Sequence, residues 1–156
     1  MCAALRRKAY ELLLPGNSTS LAMIRWVVTR LATAAGLCMD DIDHVEMAVD
    51  EACANVLDHA YGAMNPKPPL HIAILANDET FTVDIIDSGK AFDFGSYTEP
   101  KFPEHWLEGN ERGVGLFLIH QFMDDVQYEK LPNATNRMRL VKRRQPAEAS
   151  NATAGC

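Results

Sequence analysis

The sequence has few basic residues for its acidic content and no long apolar run. Its 156 residues carry 15 basic against 21 acidic side chains, a formal net charge of -6, which argues against a broad nucleic-acid-binding surface. No apolar stretch reaches the ~18 residues that a membrane span needs. The apolar part of the N-terminus is too short for a signal peptide. We therefore expect a cytoplasmic protein that contacts neither nucleic acid nor membrane directly.

Paired cysteine motifs are also missing. The four cysteines form no CxxC motif and have no histidine at metal-ligand spacing; they are Cys2, Cys38, Cys53 and Cys156. Isolated cysteines of this kind indicate reduced thiols in a cytosolic protein. A GxxxxGK[ST] loop is absent too, which excludes a P-loop nucleotide site.

Length and composition are those of an ordinary soluble globule. Hydrophobic residues make up 47% and charged residues 23% of the chain, and its length suffices to bury a core without staples. The stretch QPAEASNATAGC from Gln145 is small and polar, with nothing to bury. We predict one domain over residues 1–144 and a disordered tail over 145–156.

Periodicity, caps and turn signals predict three helices and five strands. We expect strands at 9–14, 70–77, 80–89, 126–131 and 136–143. The first helix is expected to run from a cap at 17–19 to Ala35, with Gly36 as its stop, and the second from a cap at Asp40 or Asp41 to about 61–62. The third, at 116–123, is apolar nearly all round and is expected to be buried. The alternating charges of RMRLVKRR at 137–144 favour an edge strand over a polybasic patch. The predicted fold is an α/β two-layer sandwich, with a mostly antiparallel sheet and the helices on one face.

The second predicted helix contains the stretch EACANVLDHAYG at 51–62. It places a carboxylate at Glu51, a carboxamide at Asn55 and an imidazole at His59, each four residues after the last. Helical spacing puts all three on one face, between apolar flanks. Taken alone, this row is either a solvated face or the lining of a site.

Two glycine-containing motifs bracket a segment of about 25 residues, a loop length typical of a lid or binding loop. DSG at 87–89 follows a strand, where a carboxylate can accept from an amine while the backbone approaches a flat ligand. GVG at 113–115 precedes a buried helix, whose first N–H groups can bind an anion. Each motif alone is equally compatible with a simple turn.

Together the three motifs resemble a known family. EACANVLDHAYG, DSGKAFDF and RGVGLFLIHQFMDDVQYE are similar to the N, G1 and G2 boxes of the GHKL ATPases, the superfamily of gyrase, Hsp90, histidine kinases and MutL. They are most similar to those of the small RsbW-like anti-sigma-factor serine/threonine kinases, over roughly Tyr10 to Arg143. The resemblance implies the Bergerat, or histidine-kinase-like ATPase, fold, with ATP between the helices and the loop over the sheet.

The resemblance also implies roles for individual residues. Asn55 is the expected Mg²⁺ ligand, Glu51 the expected general base, and Asp87 the carboxylate that reads the adenine amino group. The residues expected to contact the nucleotide otherwise are Gly89, Arg112, Gly113, Val114, Gly115 and Leu116. The chemistry agrees, because Mg²⁺ takes oxygen ligands and a neutral carboxamide suffices when a triphosphate supplies the charge.

The function implied by the resemblance is that of a protein serine/threonine kinase using ATP and Mg²⁺. Such a kinase sequesters a sigma factor and phosphorylates an anti-anti-sigma partner of the STAS type, and we expect it to be a homodimer. The alternative is a non-catalytic, nucleotide-gated binding module of the same fold, which would have no need of a base at Glu51. A detached histidine-kinase catalytic domain is disfavoured, because Ala91 stands where those domains have a second glycine.

Overall fold

The computed structural model describes residues 7–93 and 114–144, and all statements on structure concern these ranges. The elements, in chain order, are strand β1 (Lys8–Leu14), helix α1 (Ser18–Ala35), helix α2 (Met39–Asn55), a π-helical turn (Val56–Ala60), strands β2 (Leu70–Ala76) and β3 (Thr80–Asp87), helix α3 (Val114–Phe122), strand β4 (Asp125–Leu131), a 3-10 turn (Pro132–Ala134) and strand β5 (Thr135–Arg143). Residues 94–113, the greater part of the predicted long loop with Arg112 and Gly113, and the predicted tail lie outside the described residues. The domain limits stay predictions.

The five strands form one sheet in the order β1-β2-β3-β5-β4, and every neighbouring pair is antiparallel. Side chains alternate along β2, β3 and β5, so that one face is buried under the helices. The largest fully buried side chains are Tyr61, Phe81, Ile24, Leu70, Ile72, Ile74, Ile85, Ile119 and Leu140. The predicted α/β sandwich with helices on one face is confirmed.

Local capping signals set the limits of α1. Asn17 is the N-cap, and its Oδ1 accepts from the Ser20 backbone N–H at 3.1 Å. Gly36 ends the helix in the left-handed conformation, with φ of 83°, and donates its N–H to carbonyls of the last turn. Both predicted ends of this helix are confirmed.

The predicted cap of α2 is wrong. The helix begins at Met39 after Cys38, which makes no side-chain cap bond, and both Asp40 and Asp41 lie within the first turn. A carboxylate there still favours the helix, because it faces the positive end of the helix dipole. Asp41 has a second partner, since its Oδ1 lies 3.0 Å from Lys142 Nζ on β5.

The prediction of an edge strand for residues 137–144 is also wrong. Residues 137–143 lie in β5, which pairs with β3 on one side and β4 on the other. Its arginines project from the sheet face opposite the helices, and Arg139 donates two 2.7 Å hydrogen bonds to Asp84. The alternating charge reflects this uncovered face and says nothing about the strand's position in the sheet.

Two of the four cysteines are described, and they differ. Cys38 is disulfide-bonded, so the reduced thiol expected at this position is wrong. Disulfide pairing depends on distance in the fold, which sequence spacing does not reveal. Cys53 is free and fully buried in α2.

Among the described helices, none is long and apolar enough to cross a membrane.

Candidate nucleotide site

The C-terminal half of α2 carries the first two members of the predicted polar row. Glu51 and Asn55 are both half-buried, while the neighbours that pack into the core, Ala52 and Cys53, are fully buried. After Asn55 the helix widens into the π-helical turn, which is closed by a 2.8 Å bond from Tyr61 N–H to the Val56 carbonyl. His59 lies on this turn and is exposed, so the row does not continue as one α-helical face. Such π-turns are frequent at functional sites.

The π-helical turn also positions the first glycine motif. The Ala60 carbonyl accepts from the Lys90 backbone N–H at 2.9 Å. A Cβ atom added at Gly89 would lie 2.6 Å from that carbonyl oxygen and 2.8 Å from the Ala60 Cβ. Gly89 therefore allows the π-helical turn after α2 to pack directly on the strand-to-loop turn. This contact with Ala60, inside the protein, is sufficient to explain why position 89 is glycine.

Asp87 ends β3 and is held by a small hydrogen-bond network. Its Oδ1 accepts from the Gly89 N–H at 2.8 Å and from Asn136 Nδ2 at 3.0 Å. Asn136 stands directly opposite Asp87 on β5, and the same amide nitrogen donates to the Gly89 carbonyl at 3.1 Å. Both side chains are buried, with 6% and 3% of their surface exposed. With Oδ1 accepting two bonds, Oδ2 is the oxygen left to read a ligand.

Two tyrosines flank this turn. The Tyr61 hydroxyl donates to the Pro69 carbonyl at 2.9 Å, and the Tyr128 hydroxyl accepts from the Phe92 N–H at 2.8 Å. Burial raises the pKa of Tyr61 and of Tyr128, and the charge of Asp87 raises both further. Hydrogen bonds from Ser88 to Tyr61 and from Phe92 to Tyr128 act in the opposite sense. Both phenols thus border Asp87 as neutral groups.

The second glycine motif meets α2 at Glu51. A Cβ atom added at Gly115 would lie 1.8 Å from Glu51 Oε1 and 2.6 Å from Glu51 Cδ. Val114 is the first residue of α3, and the Leu116 side chain is buried in the core, so a nucleotide contact by Leu116 would come from its backbone. The structure thus brings Glu51, Val114 and Gly115 together at the start of α3. The nucleotide-binding roles of these residues stay predictions.

The donor chemistry fits a weakly held Mg²⁺. No group of three or more His, Cys, Asp or Glu side chains that could hold a metal occurs within residues 7–93 and 114–144. Mg²⁺ usually keeps several waters and takes one or two protein oxygens together with substrate phosphates. The Asn55 carboxamide, one helical turn from Glu51, can supply such an oxygen.

A separate cavity, lined by residues 78–80 and by Arg143 and Arg144, lies at the other end of β3 from Asp87.

Sequence reasoning did not identify Asn136. Its role depends on the register between β3 and β5, two strands separated by nearly fifty residues of chain. One signal was present: Asn136, Met138 and Leu140 occupy every second position of β5 and therefore face the same, buried side of the sheet. A polar residue at a position with inward parity needs a partner, and here that partner is Asp87.

Comparison with known proteins places this geometry in a protein class. The family model of the histidine kinase-like ATPase domain matches residues 14–142. A crystal structure of the RsbU and RsbW domains of a Mycobacterium tuberculosis protein has the same fold, with a TM-score of 0.63 at 16% identity. It covers 92% of this chain, which in turn spans 35% of that longer chain. The chain belongs to the histidine kinase-like ATPase family.

The curated relatives refine the comparison. Serine-protein kinase RsbW of Bacillus cereus is 31% identical over 129 residues, 78% of each chain. The protein of the same name from Halalkalibacterium halodurans is 30% identical over 127 residues, 77% of this chain and 75% of the relative. That from Bacillus velezensis is 29% identical over 132 residues, 82% of each chain. The resemblance to the RsbW-like family is confirmed.

Proposed function

We propose that the chain is an ATP-dependent serine/threonine protein kinase that acts as an anti-sigma factor. In this proposal it sequesters a sigma factor and phosphorylates an anti-anti-sigma partner of the STAS type. The observation that carries the proposal is the position of Glu51, whose carboxylate lies at the start of α3 and makes no hydrogen bond or ion pair with any other described residue. A carboxylate in that state is available to accept a proton. The names of the relatives, serine-protein kinases, support the same reading.

The nucleotide is proposed to bind between the C-terminal half of α2, the DSG turn at 87–89 and the start of α3. Asp87 Oδ2 would accept a hydrogen bond from the exocyclic amine of adenine, because Oδ1 is already used by Gly89 and Asn136. Guanine has a carbonyl at that place, which would face the carboxylate acceptor to acceptor. Asn55 would supply one oxygen to Mg²⁺, which when bound would help to neutralise the charge of the phosphates. Arg112 and Gly113 are proposed to complete the phosphate contacts.

The proposed reaction is transfer of the γ-phosphoryl group to a serine or threonine hydroxyl. The bond from the hydroxyl oxygen to the γ-phosphorus forms as the bond from that phosphorus to the β–γ bridging oxygen breaks, and ADP leaves. The hydroxyl proton passes to the Glu51 carboxylate, the role of general base. Asp87 and Asn55 hold the nucleotide in place, so their part is positioning and charge stabilisation.

The proposed partners are proteins. A net charge of -6 suits a basic or neutral protein surface better than nucleic acid. We also propose that the chain is a homodimer, which follows from its likeness to the RsbW-like family. Light scattering on the purified chain checks this point, and a mass of one chain at micromolar concentration would contradict it.

The experiment for the whole proposal starts with partner identification. Proteins that co-purify with the chain are identified by mass spectrometry, and each is incubated with the chain, ATP and Mg²⁺. We expect a phosphorylated serine or threonine in a STAS-domain protein, and capture of a sigma factor. Nucleotide-dependent binding with no phosphorylation of any recovered partner would contradict the kinase and favour a nucleotide-gated binding module.

A further inference from the structure

Gly115 lies where the side chain of Glu51 ends. The three atoms nearest to a Cβ added at Gly115 all belong to Glu51: Oε1 at 1.8 Å, Cδ at 2.6 Å and Cγ at 2.9 Å. Contacts below 3.0 Å are essentially never made by real Cβ atoms. Glu51 therefore fills the space that any larger residue at position 115 would require.

Backbone conformation does not explain the glycine. Among the described glycines, only Gly36 and Gly62 have positive φ, and Gly115 lies in the first turn of α3. A glycine within a helix costs roughly 0.5–1 kcal/mol relative to alanine. Alanine would thus be favoured at this position if Glu51 were absent. The nearest obstacles to a Cβ at position 115 belong to the Glu51 side chain.

The location also suits the carboxylate. The first backbone N–H groups of a helix have no partner inside the helix, and the helix dipole is positive at this end. A carboxylate at the start of α3 is therefore stabilised there while staying free of ion pairs with described residues. The packing of α2 against α3 brings the Glu51 side chain and Gly115 together.

We propose that Gly115 is a positioning residue for Glu51: its lack of a side chain lets the carboxylate reach the start of α3. The inference rests on the proposed function, in which Glu51 takes the proton of the acceptor hydroxyl. It assigns Gly115 a role different from that of a glycine that admits the nucleotide's phosphates directly. Both roles predict slower phosphate transfer by Gly115→Ala. They are separated by the ATP affinity of this variant and by combining it with Glu51→Gln.

The test uses the parent and the variants Gly115→Ala, Glu51→Gln and the double variant. ATP affinity with Mg²⁺ is measured by calorimetry, and single-turnover transfer is measured to the co-purifying STAS-domain protein. We expect Gly115→Ala to bind ATP within about twofold of the parent and to transfer about 10²-fold more slowly, as for a catalytic group misplaced by about 1 Å. In the Glu51→Gln background the same glycine substitution should change the rate less than about threefold.

Two further variants exclude a merely structural effect. Glu51→Asp shortens the side chain by one methylene, so Gly115→Ala combined with Glu51→Asp should transfer faster than Gly115→Ala alone. Gln121→Ala, at an exposed position of α3, is the matched control and should leave both affinity and rate unchanged. Rescue of this kind is not expected if the alanine only loosens the fold.

The outcomes distinguish this inference from the proposed function. If the parent transfers phosphate but Gly115→Ala loses ATP affinity, both alone and combined with Glu51→Gln, the inference alone is overturned, because the glycine then serves the nucleotide. Independent, multiplicative losses in the double variant overturn it as well. Absence of transfer by the parent overturns the proposed function and this inference together.

Discussion

Asn136 donates both hydrogens of its side-chain amide to the DSG turn, to Asp87 Oδ1 at 3.0 Å and to the Gly89 carbonyl at 3.1 Å. Since both partners are acceptors, the amide has one orientation that satisfies them. Two strands distant in sequence thus fix which Asp87 oxygen is free. The predicted adenine contact by Asp87 therefore depends on Asn136 of β5 as well as on the DSG motif.

The first prediction concerns adenine selectivity. Asn136→Leu should lower ATP affinity by up to roughly 10-fold, because Asp87 loses the donor that occupies Oδ1 and keeps Oδ2 for the adenine amine, and a hydrogen bond to a charged group is worth ~1.5–3 kcal/mol. Asp87→Asn should lower ATP affinity too and weaken discrimination against GTP. Titrations with ATP and GTP measure both effects. Thr82→Val, on the opposite face of β3, is the control; equal ATP-to-GTP ratios in all four proteins would contradict the assignment of Asp87.

The second prediction contrasts the two glycine motifs. Gly89→Ala should destabilise the fold by ~1–3 kcal/mol, the usual cost of overpacking, because the new Cβ meets the Ala60 backbone at 2.6 and 2.7 Å. Gly115→Ala should not, because the three atoms nearest to its Cβ belong to the flexible side chain of Glu51 and not to backbone. Denaturant unfolding of the two variants decides between them. Equal stability of Gly89→Ala and the parent would show that the DSG turn and Ala60 can separate at no cost.

The third prediction concerns magnesium. Asn55→Ala should lower ATP affinity in the presence of Mg²⁺, while variant and parent should bind equally weakly in a metal-free buffer. The reason is that Asn55 is proposed to act through the metal and not on the nucleotide. Calorimetry with ATP and ADP, each with and without Mg²⁺, gives the comparison. Asp43→Ala, an exposed carboxylate of the same helix, is the control, and a loss of affinity that persists without metal would sink the metal-ligand role.

The fourth prediction concerns Cys53. Burial, and secondarily the nearby Asp50 charge, raise the pKa of its thiol, and the thiolate is the reactive form. Cys53 should therefore resist alkylation in the folded protein even as the pH rises to about 8.5, the ordinary thiol pKa, and should react in denaturant. Peptide mapping after labelling resolves Cys53 from the other cysteines. Rapid labelling of native Cys53 would show that α2 opens readily.

Local rules predicted the helices of this fold better than its pairings. The ends of α1 follow from Asn17 and Gly36, each of which acts within a few residues. The cap of α2 was misassigned because Asp40 and Asp41 can act either as caps or within the first turn, where Asp41 also reaches Lys142. That choice depends on a strand roughly a hundred residues away.

The same limit applies to the sheet and the site. The alternation in β5 indicated a strand, but its interior position depends on β4 pairing beside it. Glu51, Asn55 and Asp87 could be assigned from motifs, whereas Asn136 could not, because its partnership with Asp87 arises from strand register. The contact of Gly115 with Glu51 likewise depends on the packing of α3 against α2, which no sequence spacing encodes.

Glu51 is the residue proposed to make this chain an enzyme. The most direct measurement is single-turnover transfer from labelled ATP to the partner serine by the parent and by Glu51→Gln, beside an ATP titration of each. Glutamine keeps the size and hydrogen-bonding reach of glutamate but removes the base, so we predict unchanged ATP and sigma-factor binding with transfer slowed ~10²–10⁴-fold. Equal transfer rates for the two proteins would show that Glu51 is not the general base.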